Sequence, residues 1–483
     1  MDDSTLDRLD LFIDGRWVAP RLGGSTDVIE AATEKVLGRA ASASRADIDA
    51  AVVAAHTALH GPWAGYTADQ RADVVDRFAA ALKARAKTTA ALVSRENGMP
   101  ISLSISVNGY GPAAMFSYYA NLIRATAAEE VRPGVFGGRT VVRREPIGVV
   151  AAVTPWNYPQ PLSAMKLAPA LAAGCTVVLK PAPETALDAF VFAEAALEAG
   201  LPDGVLNILP GDRDTGAHLI AHPGVDKVAF TGSTAAGRAI GEVCGRLLRP
   251  VTLELGGKSA AIVAEDADLA VFTAGLLEVS LPNNGQTCHA STRILAPKSR
   301  YDEVVAAVTE TVRALRVGDP LDRETAIGPL VSAAQRERVL GYIASADRAG
   351  FRRTTGGSIP ADTPTGWYVE PTVFADVDNT AHIAQEEIFG PVLTITPYDG
   401  DDDAVAMAND TEYGLAGTIW TTDEARGIAL AARIESGTVG VNHYALDLAA
   451  PFGGVKASGL GRELGPEGLA PYQQLKSIYL GTR

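Results

Sequence analysis

A chain of 483 residues with 47% hydrophobic content is too long for one ordinary core and predicts two or three well-packed domains. Its formal charge of -15 repels nucleic acid and anionic membrane surfaces at long range, which argues against either as a partner. Cys175, Cys244 and Cys288 are too few for a disulfide framework, the acidic N-terminus lacks a secretory pattern, and no run of 18 apolar residues occurs, so a cytoplasmic protein with no membrane partner is expected.

Taken in order, residues 11–18 read as two short strands about an Asp14-Gly15 turn, and alanine-rich helical patterns cover residues 45–95. His56 and His60, like His218 and His222, stand four apart without a third ligand nearby; ordinary histidines are expected there rather than a metal site. Residues 134–144 suggest a hairpin about Gly137-Gly138. Because Arg143 and Arg144 directly follow Val141 and Val142, this hairpin alternates poorly as a core element and is expected to project and pair with another subunit.

The clearest architectural signal follows. Short apolar strands are predicted at 148–153, 175–179, 205–209, 227–230 and 251–255, separated by helical patterns at 162–173, 185–199, 215–221 and 235–248. Such alternation means a parallel sheet covered on both faces, with ligands at the carboxyl ends of its strands. Those ends run into Thr154-Pro-Trp-Asn-Tyr-Pro, Lys180-Pro, Pro210-Gly211, Thr231-Gly-Ser-Thr and Glu254-Leu-Gly-Gly. Glycine, hydroxyl, amide or charge at five strand ends in succession is more than a structural protein needs. The alternation resumes after Lys258, with strands at 260–263, 292–296, 391–396, 416–420 and 438–442 and helices at 269–279 and 301–315, so a second α/β domain begins near Gly256-Gly257. Residues 472–480 read as a last strand whose natural partner is a sheet edge.

Between two apolar segments lies Asn283-Asn-Gly-Gln-Thr-Cys-His289, a polar loop presenting one cysteine. A thiolate there would be a nucleophile if backbone amides or positive charge support it; the plain alternative is a small buried hydrophobe. His289 is a poor candidate for its base, since neighbours in extended chain point to opposite faces. Phe230-Thr-Gly-Ser-Thr-Ala-Ala-Gly237 is neither the usual dinucleotide fingerprint nor a phosphate loop, yet close approach at Gly232 and free amides at a helix start can hold a pyrophosphate.

Together, Thr154-Pro-Trp-Asn157, Lys180-Pro181, Phe230-Thr-Gly-Ser233, Glu254-Leu-Gly-Gly-Lys258, Gly285-Gln-Thr-Cys288, Glu387-Ile-Phe-Gly-Pro391 and Pro451-Phe-Gly-Gly-Val-Lys-Ala-Ser-Gly459 resemble the aldehyde dehydrogenase superfamily, in order and over nearly the whole chain. The resemblance implies two parallel-sheet α/β domains, a Rossmann-like NAD-binding domain (1–126 and 147–256) and a catalytic domain (257–456), plus a small β oligomerisation element (127–146 and 457–483) that makes a homotetramer or homodimer. It implies oxidation of an aldehyde to the acid, with Cys288 as nucleophile, Asn157 and the backbone N–H of Cys288 as oxyanion donors, and Glu254 as the base that activates water. Without the resemblance, Asn157 reads as a turn-capping amide and Glu254 as a strand-end salt bridge.

The same resemblance places the cofactor against Thr154, Pro155, Trp156, Lys180, Glu184, Gly211, Thr231, Gly232, Ser233, Leu255, Glu387 and Phe389, with no metal. Lys180 and Glu387 would hold the two riboses, and Phe389 would pack beside the nicotinamide. Many NAD-preferring members carry a carboxylate three residues after the lysine; here Pro183 stands there and Glu184 follows, so NAD is expected through Glu184 and NADP stays open. The substrate pocket is expected near Tyr158, Leu162, Met165, Thr287, His289 and residues 444–450. A coenzyme A-acylating enzyme, an esterase side activity and a non-catalytic binding protein are the alternatives; the presence of Glu254 opposes the first.

Overall fold

The computed structural model describes residues 6–22 and 24–481; the extreme N-terminus, residues 1–5, lies outside them. The five predicted strands form the parallel centre of an eight-stranded sheet, in the order Val251–Glu254, Lys227–Thr231, Val149–Val153, Thr176–Lys180, Leu206–Ile208. Its edges are antiparallel. Gly459–Leu460 flanks Val251–Glu254, and the hairpin Leu11–Ile13 with Arg16–Val18 flanks Leu206–Ile208. The Asp14-Gly15 turn has φ of 55° and 70°, the left-handed pair a two-residue hairpin turn requires. The sheet is therefore mixed, because the carboxyl-terminal segment returns to cover an edge that would otherwise lie bare.

Every residue of the helix Pro159–Ala173 is buried, since it lies between the sheet and the helices Ala68–Asn97 and Gly111–Ala125. It starts two residues after Asn157, with Pro159 at a first-turn position where no amide partner is needed, and stops at Gly174 in the left-handed region (φ 94°). One charged residue, Lys166, sits in its middle.

The second sheet has seven strands in the order Arg352–Thr355, Thr372–Ala375, Val392–Tyr398, Arg293–Pro297, Ala260–Val263, Gly417–Trp420, Gly440–Val441. All but the first run parallel. The strands Arg352–Thr355 and Thr372–Ala375 and the helix Ala333–Arg348 add to the elements expected from sequence. The hairpin near residue 137 forms as Glu129–Pro133 with Arg139–Pro146, and the final strand Gln473–Leu480 pairs antiparallel with Arg139–Pro146 of the same chain, from Gln473 opposite Pro146 to Leu480 opposite Arg139. Among the described residues no helix is long and apolar enough to cross a membrane.

Candidate active site

The Cys288 loop is polar in sequence but buried in the fold, and its amides explain why. Asn284 donates to the carbonyls of Gly98 (2.9 Å) and Pro329 (2.8 Å) and accepts from the Gly328 N–H. Gln286 accepts from the Val331 N–H at 3.0 Å, and Asn283 donates to the Asn157 carbonyl at 2.9 Å. Asn283 and Asn284 have φ of 50° and 61°, a region asparagine tolerates better than most residues. Each side chain thus satisfies backbone of the neighbouring segments 98, 157 and 328–331, which ties down the turn that carries Cys288. A side chain at Gly257 would collide with the Cys288 carbonyl, which accounts for glycine there.

Cys288 is partly exposed while Asn157 (3% exposed) and Glu254 (2%) are buried around it. The Asn157 carbonyl is held by Asn97 (3.0 Å) as well as Asn283, and its side-chain Nδ2 donates to the Gln286 carbonyl at 3.0 Å. An amide nitrogen has two hydrogens, so one N–H remains for a ligand. Glu254 ends its strand between Thr231 and Gly459, with neither carboxyl oxygen hydrogen bonded. A side chain at Gly453 would come within 2.6 Å of its Oε1, so Gly453 leaves room for that carboxyl.

Burial pushes the Cys288 thiol well above its ordinary range, the Glu254 and Glu387 carboxylates push it the same way, and the backbone N–H groups of His289 and Cys288 oppose them. This differs from the electropositive setting expected of a reactive cysteine: the thiol stays protonated at neutral pH until a base takes its proton. Burial likewise raises Glu254, with Glu463 adding and Lys166 and Arg462 opposing, which makes it a stronger base once ionised. His289 is no competitor, since burial lowers it to about 4.

On the other side of Cys288 a cleft of about 290 Å³ opens along the carboxyl ends of the first sheet. Pro155, Trp156, Asn157, Thr231, Gly232, Ser233, Leu255, Glu387 and Phe389, all expected from sequence, line it with Cys288. Trp156 meets Phe389 edge-on, with ring centroids 5.3 Å apart. Glu387 accepts from the Gly257 N–H at 3.0 Å, and a side chain at Gly256 would lie 2.6 Å from its Oε2, so the glycine pair seats this carboxylate. Burial raises Glu387 to about 7 against the pull of that N–H, Arg338 and Lys258. Ser233 caps the helix Thr234–Arg246, accepting from the Ala236 N–H, and its own O–H remains free beside first-turn amides suited to an anion.

Thr154, Lys180, Glu184 and Gly211 lie further along the same sheet edge, outside the lining of this cleft. Lys180 donates to the Pro181 carbonyl at 3.1 Å; burial lowers it to about 8 while Glu184 and Asp212 resist. The Thr154 hydroxyl turns back to accept from Ser163 at 3.3 Å.

Four further residues enter the site. Gln335 and Arg338, on a helix the sequence reading did not identify, line the cleft and donate to the carbonyls of Phe389 (2.7 Å) and Glu387 (2.6 Å). Lys166 donates to Glu463 (2.8 Å) and Thr231 (2.6 Å) beneath Glu254, an ion pair with both partners at most 2% exposed. The sequence analysis did not single it out, although a lysine alone in a mostly apolar helical run is the signal that could have found it. Such a pair costs desolvation and is weak evidence for stability. Among the described residues no group of three or more His, Cys, Asp or Glu is placed to hold a metal ion.

A cleft along the carboxyl ends of a parallel sheet, with a thiol and an amide in its lining and a buried carboxylate beside the thiol, is the layout of a nicotinamide-dependent dehydrogenase acting on aldehydes. The family model described as the aldehyde dehydrogenase family matches residues 17–478, and the chain belongs to that family. It is 53% identical over 477 residues to the geranial dehydrogenase of Castellaniella defragrans, covering 99% of both chains. Its structure resembles that of a Mycobacterium tuberculosis aldehyde dehydrogenase complexed with NAD+ (TM-score 0.97, 47% identity, 99% of both chains). A mutant of Pseudomonas syringae aldehyde dehydrogenase C, complexed with NAD+ and octanal, matches with a TM-score of 0.94 at 39% identity, over 99% of this chain and 97% of that one.

Proposed function

We propose that this chain oxidises an aldehyde to the carboxylic acid with NAD, through a thioester on Cys288. The observation that carries it is a partly exposed thiol and an amide with a spare N–H in the lining of one cleft, with the buried Glu254 carboxylate, free of hydrogen bonds, close enough to act on the charge of that thiol. Glu254 takes the thiol proton as the Cys288 sulfur bonds to the aldehyde carbon, and the carbonyl electron pair moves onto oxygen to give a thiohemiacetal. Asn157 Nδ2–H and the Cys288 N–H stabilise that oxyanion. The bound nicotinamide supplies the hydride acceptor, and the carbon is left as a thioester. After Glu254 has released the thiol proton to solvent, it removes a proton from water as the water oxygen attacks the thioester carbon; the C–S bond breaks and the sulfur takes that proton back from Glu254.

The residues fit the cofactor. Glu387, seated on the Gly256-Gly257 backbone, would hold the nicotinamide ribose. Ser233 and Gly232 would hold the pyrophosphate, and Lys180 with Glu184 the adenosine ribose, with Thr154, Pro155, Gly211, Thr231 and Leu255 shaping the edge. Residues 1–126 with 147–256 serve as cofactor domain, 257–456 as catalytic domain, and 127–146 with the final strand of 457–483 as oligomerisation element, Gly459–Leu460 of that last stretch completing the cofactor sheet instead. The three-stranded sheet of that element leaves Val131, Leu475 and Tyr479 exposed, which supports a homotetramer or homodimer. All three cysteines are free, in keeping with the cytoplasm. Medium aliphatic or aromatic aldehydes are preferred to betaine aldehyde.

The test is reduction of NAD and NADP by the purified protein across an aldehyde panel, with and without coenzyme A. NADH formed without coenzyme A is expected. A strict coenzyme A requirement would replace water by a thiol as acyl acceptor, and a clear NADP preference would remove Glu184 from its role.

A further inference from the structure

Rings flank Cys288 on residues that lie outside the lining of the cofactor cleft. Thr287, just before it, shares a 2.7 Å hydrogen bond with the Tyr158 hydroxyl. His289, just after it, stacks on Tyr444 with centroids 5.0 Å apart and planes at 26°. Phe452 meets His289 edge-on at 6.2 Å, and the Tyr444 hydroxyl is tied to Thr438 at 2.8 Å. Both neighbours of the nucleophile are thus fixed to phenols, and both phenols lie within electrostatic reach of its sulfur. Leu162 and Met165 join Phe452 in the core against which Tyr158, Cys288 and Leu448 pack.

Little charge faces this region besides the base. His289 is neutral at working pH, and the Asp447 carboxylate accepts from the Ala449 N–H within its own loop at 2.9 Å. The stack also decides shape. His289 and Tyr444 each spend a ring face on the other and Phe452 meets His289 edge-on, so these three rings keep fewer free faces with which to surround a spherical head. A quaternary ammonium head gains from several ring faces around it, whereas a planar conjugated chain gains from a single offset face.

We propose that the His289–Tyr444 stack is the specificity-determining wall of the acyl pocket and selects flat, conjugated aldehydes, enals and aryl aldehydes, over saturated chains of equal length. The proposal rests on the dehydrogenase reading above and names the substrate class for that site.

The experiment compares kcat/KM for length-matched pairs, trans-2-octenal with octanal and cinnamaldehyde with 3-phenylpropanal, in the wild type, Tyr444→Leu, His289→Ala and Tyr444→Phe. The conjugated partner is expected to lead in the wild type. That ratio should fall roughly three- to tenfold in the first two variants, the scale of one aromatic contact, and survive in Tyr444→Phe, which keeps the ring. Comparing ratios between variants cancels the intrinsic reactivity of each aldehyde. Ratios unchanged by Tyr444→Leu and His289→Ala, or betaine aldehyde ranking first, would overturn the proposal while leaving the dehydrogenase intact. Turnover of no aldehyde at all would remove both. Inhibition of the wild type by cinnamate and 3-phenylpropanoate needs no variant to fold: cinnamate should bind at least about threefold more tightly, and equal inhibition would overturn the assignment.

Discussion

The two sides of Cys288 are built by different means. The cofactor side is made from the ends of consecutive parallel strands, where Trp156, Thr231, Gly232 and Leu255 follow directly from hydrogen-bonded β-structure. The acyl side gathers Tyr158, Tyr444 and Phe452 from segments nearly 300 residues apart, on loops and helix starts. A sheet edge holds one geometry because every strand constrains its neighbour, whereas loops can change residue without disturbing the frame. In the proposed division the cofactor wall rests on the sheet and the acyl wall on loops.

The largest effect expected is from Cys288→Ala, which should lower dehydrogenase and esterase turnover by roughly 10⁴-fold or more. NADH binding, followed by fluorescence titration, should persist, because the cofactor wall does not depend on the sulfur. Loss of binding would mean that the two sides are not separable. Asn157→Ala should lower kcat by roughly 10²–10³-fold with little change in the ranking of aldehydes, as removal of one oxyanion donor does. A reshuffled ranking would move Asn157 to the acyl side.

The smallest effect concerns Glu387. Its native value of about 7 lies above the ordinary 4.5, so the folded protein keeps this proton longer than the unfolded chain does. The stability this gives is complete below the unfolded value and is lost as pH rises through about 7. Glu387→Gln should therefore raise Tm by about 2 °C at pH 8 and by less at pH 5, while weakening NADH binding at both. An equal Tm change at both values would deny the buried, proton-retaining state.

How much of this was legible in the sequence follows the same division. The central strands fell within a residue or two of their observed bounds because doubly covered strands are apolar throughout, whereas the cofactor residues, Glu387 and Phe389 of the second domain above all, came from the family resemblance. Arg352–Thr355 escaped notice because Arg-Arg-Thr-Thr is polar, and Thr372–Ala375 was missed although it is as long as Ala260–Val263, which was identified. Gly459–Leu460 has two residues and is a strand only by virtue of its neighbour. Residues 283–289 read from sequence as a polar loop presenting one cysteine; that its amides serve buried backbone of other segments is a tertiary fact. Glu463 pairs with Lys166 across 297 positions, and only the fold brings them under Glu254. Ring stacking between His289 and Tyr444 is likewise a tertiary fact.

The central claim is that Glu254 activates the water that releases the acyl group from Cys288. Its most direct test is intact-protein mass spectrometry of Glu254→Gln mixed with NAD and a turned-over aldehyde. The account predicts an acyl adduct that maps to Cys288 and accumulates while steady-state turnover falls. Normal turnover with no adduct would contradict it and remove Glu254 from the mechanism.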